Sequence, residues 1–187
     1  MPQQSYFAPL VIDVADGTQI LNTVTETIIF PDYSFTASDP LIRVGSCWRT
    51  TVYADSSFVI TTPGTLTIAL RWGGVAGTVL ATTGAFAPNP VAVSNRAVVA
   101  QFVTVWRTIG AAGSAYTMGY WLPTSFDPTS AATLQANLNM AVFPSAPAVV
   151  GSLDTTTAKL LSVTAKHSVA TATTQTTGHI RIIESLQ

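Results

Sequence analysis

Hydrophobic and polar residues along this chain alternate in steps of two. From Thr65 to Trp72, Leu66, Ile68, Leu70 and Trp72 fall on one side, while Thr65, Thr67, Ala69 and Arg71 fall on the other. Side chains of a strand project to opposite faces with period two, so the first four form one apolar ridge suited to a core. Gly73-Gly74 stops the run, and paired glycines allow the positive φ that a tight reversal needs. A second short run, Val75 to Leu80, follows with Gly77 inside the turn. The unit reads as a β-hairpin, with Arg71 as a lone charge at the end of its first strand.

The same rule predicts further strands. In Ile20 to Phe30, Thr23, Thr25 and Thr27 alternate with Val24, Glu26 and Ile28 until Pro31-Asp32 turns the chain. Cys47 to Ala54 sets Trp48, Val52 and Ala54 opposite Arg49, Thr51 and Tyr53, and Asp55-Ser56-Ser57 is expected to turn into Phe58 to Ile60. Ala97 to Ile109 is apolar on both sides, with Val98, Ala100, Phe102 and Trp106 in one set and Val99, Val103, Val105 and Ile109 in the other. Such a strand is expected to be covered on both faces, which makes the second set a candidate subunit interface. Gly110 to Gly113 turns it into Ser114 to Leu122, where Tyr116, Met118, Tyr120 and Leu122 alternate with Ala115, Thr117, Gly119 and Trp121.

Ala131 to Val142 is rich in helix formers, yet Leu134, Ala136, Leu138, Met140 and Val142 alternate strictly with polar neighbours, so a strand is predicted. Leu161, Val163, Ala165 and Val169 share one face of another strand, off which Lys159 and Lys166 lie, and Ile180 and Ile182 mark the closing one. About nine or ten strands and no helix predict an all-β fold, an antiparallel β-sandwich with Greek-key or jelly-roll connections.

Composition narrows the setting. The 187 residues suit one large domain, which hides roughly 70% of its unfolded surface and needs no disulfide or metal to hold it. Only 9% are charged, 48% are hydrophobic and the formal net charge is -1. A neutral surface of that kind offers little repulsion between copies, which favours life inside an assembly. The eight basic residues, Arg43, Arg49, Arg71, Arg96, Arg107, Lys159, Lys166 and Arg181, are dispersed, so no basic stripe for nucleic acid is expected. The opening Met1-Pro2-Gln3-Gln4-Ser5-Tyr6-Phe7 lacks a secretory pattern and no long apolar window follows, so neither export nor a membrane partner is expected. Cys47 is the single cysteine, expected as a small buried hydrophobe.

Candidate chemistry is sparse. His167 shares the parity of Leu161, Val163 and Ala165 and reads as a histidine at the rim of the core; His179 follows Gly178 in a turn. No cluster has the spacing of a zinc or iron site, and Asp13 and Asp16 before Gly17 lack the ligand spacing of a calcium loop. No serine sits in a nucleophile elbow, and Gly110-Ala111-Ala112-Gly113 joins two strands rather than opening a phosphate-binding helix. No catalytic residue, metal or cofactor is therefore nominated. Tyr116, Tyr120 and Trp121 could contact a glycan through their aromatic faces, with packing as the competing role.

The run from Thr65 to Leu80 resembles a segment of small β-sandwich structural proteins of tailed bacteriophages. Val44-Gly45-Ser46-Cys47-Trp48-Arg49 is similar to the strand start that precedes the hairpin there, and Val103 to Gly110 with Gly113 is similar to the next long strand and its turn. Asp154-Thr155-Thr156 before Leu161 to Ala165, then a Thr-rich turn and an Ile-rich strand, resembles the end of those proteins. The resemblance spans about residues 42–184 and implies a TNF-like jelly roll of the head decoration (cement) or head-fibre type. Apart from the resemblance, Pro2, Pro9, Asp13, Asp16 and Gly17 suit residues 1–20 to an extended arm or short edge strand, which leaves 21–187 as one jelly-roll domain. The implied role is non-enzymatic: a homotrimer bound to the major capsid protein on the outside of the virion, assembled in the host cytoplasm. The alternative is a tail-tip or fibre module binding host-surface glycans. A polysaccharide hydrolase or lyase would need paired carboxylates, and the nine acidic residues are dispersed.

Overall fold

The computed structural model describes residues 8–59, 64–85, 92–123, 141–144 and 146–186. Among these, the period-two alternation becomes thirteen strands: β1 (Ala8–Asp13), β2 (Ile20–Leu21), β3 (Thr27–Ile28), β4 (Tyr33–Phe35), β5 (Cys47–Phe58), β6 (Leu66–Trp72), β7 (Thr78–Thr82), β8 (Val93–Thr108), β9 (Gly113–Pro123), β10 (Ala141–Phe143), β11 (Val149–Leu153), β12 (Lys159–His167) and β13 (Gln175–Ser185). They form two antiparallel sheets packed as a β-sandwich. The larger has the order β1-β13-β5-β8-β9-β10, with β2 also on β13 and β11 also on β9. The smaller runs β3-β12-β6-β7, with β4 also on β12.

The inner faces hold the core. Leu66, Ile68, Leu70 and Trp72 are all buried, and Leu161, Val163 and Ala165 lie opposite Trp72, Leu70 and Ile68 on the neighbouring strand. From the larger sheet, Trp48, Val52, Val98, Ala100, Phe102 and Trp106 close over them. Trp106 bridges the layers, its ring centroid 5.1 Å from Trp72 and 5.8 Å from Trp48, while Phe35 stacks on Trp48 at 4.6 Å. Edge-on and offset ring pairs of this kind add to the burial of their area. The β6–β7 turn takes positive φ at Gly73 and Gly74, and a Cβ on Gly77 would lie 2.2 Å from the Trp72 carbonyl oxygen.

Several expectations are corrected. The strand expected over Ile20 to Phe30 exists only as the two-residue pieces β2 and β3. Asn22 takes a left-handed φ of 50°, and the hydroxyls of Thr23 and Thr27 bond the backbone of Thr25, so local hydrogen bonds replace the ladder. The turn at Asp55-Ser56-Ser57 is absent, and β5 runs through it. Ser56 Oγ lies 2.7 Å from Thr176 Oγ1, and Ser57 Oγ accepts from the Asn95 amide at 2.9 Å, so neighbouring strands satisfy both serines without a turn. Arg71 is not a lone charge: its Nε and Nη2 donate to the two oxygens of Glu26 at 2.6 and 2.7 Å. Residues 8–13 lie in the segment expected as an arm or short edge strand and need no correction: they form β1 on β13 at the edge of the larger sheet. The strand expected over Ala131 to Val142 lies outside the described residues except for its end in β10.

Candidate functional site

The two outer faces of the sandwich differ in chemistry. On the smaller sheet, the outward residues Thr67, Arg71, Ser162, Thr164 and Lys166 are polar. Glu26 caps Arg71 and also accepts from Thr164, and Asp32 accepts from Ser162 Oγ. The hydrogen bond from Arg71 holds the Glu26 carboxyl below the usual carboxylate range against the opposing effect of burial. Among the described residues, Leu160 and Val79 are the exposed apolar side chains of this face, 38% and 36% accessible beside these hydrogen-bonded polar groups.

On the larger sheet the outward face is richer in exposed apolar side chains, with Gln101 and Thr51, hydrogen-bonded to each other at 3.3 Å, in its middle row. Register places Val105 beside Tyr116 and Cys47, Val103 beside Met118 and Arg49, and Val99 beside Leu122 and Tyr53. Val149 continues the first row and Ile180 the last, while Val142 flanks Tyr120 and Ile12 flanks Ile182. Exposure is substantial: Ile12 52%, Val142 56%, Val149 55%, Ile180 41%, and Tyr53, Met118 and Leu122 each 39%. Those seven side chains are spread across the sheet from β1 to β10, with polar pairs between them. The charges within it are neutralised or shielded. Arg49 donates to Glu184 at 2.7 Å, and the Arg107 guanidinium lies 5.5 Å from the Tyr116 ring centroid.

Of the interface candidates, Val99, Val103 and Val105 lie on this face and half-buried, whereas Ile109 does not join them. β8 ends at Thr108, and Ile109 sits in the following turn, at a small cleft with Ser38, Ile42 and Thr155. Of the glycan candidates, Tyr116 and Tyr120 face outward, but Trp121 points into the core and is 3% exposed. Trp121 therefore cannot stack on a sugar from solvent. The alternation separated Trp121 from the tyrosines, but it did not reveal which set turns inward.

No substrate reaches the most reactive-looking constellation. Ser56, Thr176 and His167 form a hydrogen-bonded chain, with Thr176 Oγ1 3.0 Å from His167 Nε2, and all three are at most 1% exposed. Burial pushes the His167 pKa down to about 4, so the ring is neutral at pH 7. Asp13 and Asp16, weighed as calcium ligands, are engaged otherwise: Asp13 accepts from Arg181 Nε at 2.6 Å and Asp16 from His179 at 2.7 Å. No group of three or more potential metal ligands lies together among the described residues. Nor is any helix there long and apolar enough to cross a membrane. The outer face of the larger sheet is thus the surface with the clearest capacity to act. No protein-family model, curated protein or solved structure matches the chain.

Proposed function

We propose that this protein is a structural subunit that assembles with copies of itself through the outer face of the larger sheet. In the fuller form of the proposal it is a homotrimeric decoration protein that docks on the major capsid protein of a tailed phage and reinforces the shell. The observation that carries the reading is the contrast between the two outer faces. Glu26 and Asp32 tie up polar groups over the smaller sheet, where Leu160 and Val79 are the exposed apolar side chains, while the larger sheet exposes at least seven, Met118 and Leu122 among them, around the paired Arg49–Glu184 and Gln101–Thr51.

A second copy is the occupant that fits this surface. Its exposed apolar side chains, Met118, Leu122, Val149 and Ile180 among them, would contribute to the ~800 Å² per partner that a standard interface buries. A chain with 9% charged residues also brings few unpaired charges to be desolvated on contact. The strand order β1-β13-β5-β8 facing β3-β12-β6-β7, with the chain changing sheets between β4, β5 and β6, supports jelly-roll wiring.

Light scattering coupled to size exclusion tests the self-association. The wild-type chain is expected to run as a multimer and Met118→Lys as a monomer with an unchanged far-ultraviolet circular dichroism spectrum. A wild-type monomer that also fails to bind phage heads lacking the protein would overturn the proposal.

A further inference from the structure

The ladder between β13 and β5 is interrupted at one place. Thr177 pairs with Asp55, Gly178 with Ala54 and Ile180 with Tyr53, which leaves His179 as the extra residue of a bulge. A bulge re-aims the side chain it carries. Here the ring is directed between two carboxylates: Nδ1 lies 2.7 Å from Asp16 Oδ1 and Nε2 lies 3.4 Å from Asp55 Oδ2. Asp55 belongs to β5, whereas Asp16 belongs to the segment that leads out of β1.

A neutral imidazole carries one N–H, so one of its nitrogens would turn a lone pair toward a carboxylate. The imidazolium presents an N–H to both carboxylates, so this arrangement favours it over either neutral tautomer. We propose that His179 is a protonated clamp fastening the turn at residues 14–19 to the body of the larger sheet, and that loss of its proton loosens this turn. Asp16 and Asp55 are the charged groups that face the ring. Arg181, two residues along, is turned inward and holds Asp13.

Other contacts show what the clamp secures. The Gly17 amide donates to the Gly178 carbonyl at 2.8 Å, and Gln19 reaches Gln175 and Thr177 only at 3.4 Å. A Cβ on Gly17 would collide with the Ile29 carbonyl oxygen, so the turn is seated closely against the body. The hydrogen bond to Asp16 raises the His179 pKa above its ordinary 6.5 against modest desolvation, with Asp55 adding to it. The clamp is accordingly closed in mild acid and opens as pH rises through that raised value.

Proton NMR of the two histidines in the full chain, assigned with His179→Gln, gives the titration, and hydrogen exchange of the peptide holding residues 14–19 gives the response. His179 is expected to titrate above 6.5, and protection of the peptide, corrected for intrinsic exchange, should fall about fivefold across that titration, as for the loss of a partly exposed ion pair. His179→Gln and Asp55→Asn should remove this pH-dependent step while leaving exchange in β5 and β8 unchanged. Titration at or below 6.5, protection that does not change with pH, or the same step in His179→Gln would each overturn the clamp. These readouts concern the turn within one chain, so they are independent of whether the chain self-associates.

Discussion

Arg181 and Asp13 form an ion pair in which the cation is buried. The arginine side chain is 2% exposed, its Nε donates to Asp13 at 2.6 Å, and the Phe30 ring centroid lies 5.6 Å from its guanidinium carbon. The carboxylate comes from β1, so the edge strand supplies the charge that a core residue of β13 requires. Removing one partner of a buried pair leaves the other uncompensated, whereas replacing both removes the problem. Asp13→Ala should therefore lower the stability of the fold by about 3 kcal/mol. The double variant Asp13→Ala with Arg181→Met should recover much of that loss. Urea unfolding of the single and double variants checks this, and equal midpoints for the two would contradict it.

Acid sensitivity should trace in part to His167. The unfolded chain takes up the imidazole proton near pH 6.5, but the folded protein delays this to about 4 because the ring is buried. Between those values the unfolded state binds the additional proton, so this contribution is fully present above pH 6.5 and is lost on acidification. The loss by pH 4 is on the order of 3 kcal/mol. His167→Gln can keep a contact to Thr176 and does not titrate, so its stability should fall less between pH 7 and pH 4. Parallel slopes for the two proteins would assign acid lability to other groups.

Two glycines should differ sharply in their response to the same substitution. A Cβ at Gly119 would lie 1.8 Å from the Gln101 carbonyl oxygen and 2.9 Å from Phe143, while one at Gly151 meets nothing within 4 Å. Because the obstacle at Gly119 is backbone of the adjacent strand, Gly119→Ala must separate β8 from β9 and should cost about 3 kcal/mol or more. Gly151→Ala should stay within about 0.5 kcal/mol of the parent. Thermal unfolding of both distinguishes a steric requirement from a general effect of replacing glycine in strands.

The thiol of Cys47 offers a reporter for the assembly face. It is half-buried beside Val105, and burial pushes its pKa up. If copies meet there, maleimide labelling of Cys47 under native conditions should be slow in the wild type and several-fold faster in Val103→Lys. Equal labelling rates would place the contact elsewhere.

The paired outer and inner sets of β6, β8 and β9 were legible from spacing alone, because a strand sends successive side chains to opposite sides whatever surrounds it. So was the glycine turn between β6 and β7, where backbone conformation depends on the residues in the turn itself. Other features depended on partners far away in sequence. Asp55-Ser56-Ser57 has turn chemistry, yet Thr176 and Asn95 satisfy both serines and the strand continues. Glu26 lies 45 positions from Arg71 and Asp13 lies 168 from Arg181, distances at which composition carries no pairing information. His179 looked like a turn residue until β13 bulged and brought it between Asp16 and Asp55.

The sequence by itself determined that the chain would form alternating strands with few charges. For a strand with apolar residues on both sides, such as β9, only the tertiary structure decided which side met the opposing sheet, turning Trp121 inward and leaving Met118 and Leu122 outside. Period two divides a strand into two faces, but the choice between them belongs to the neighbours that bury one of them.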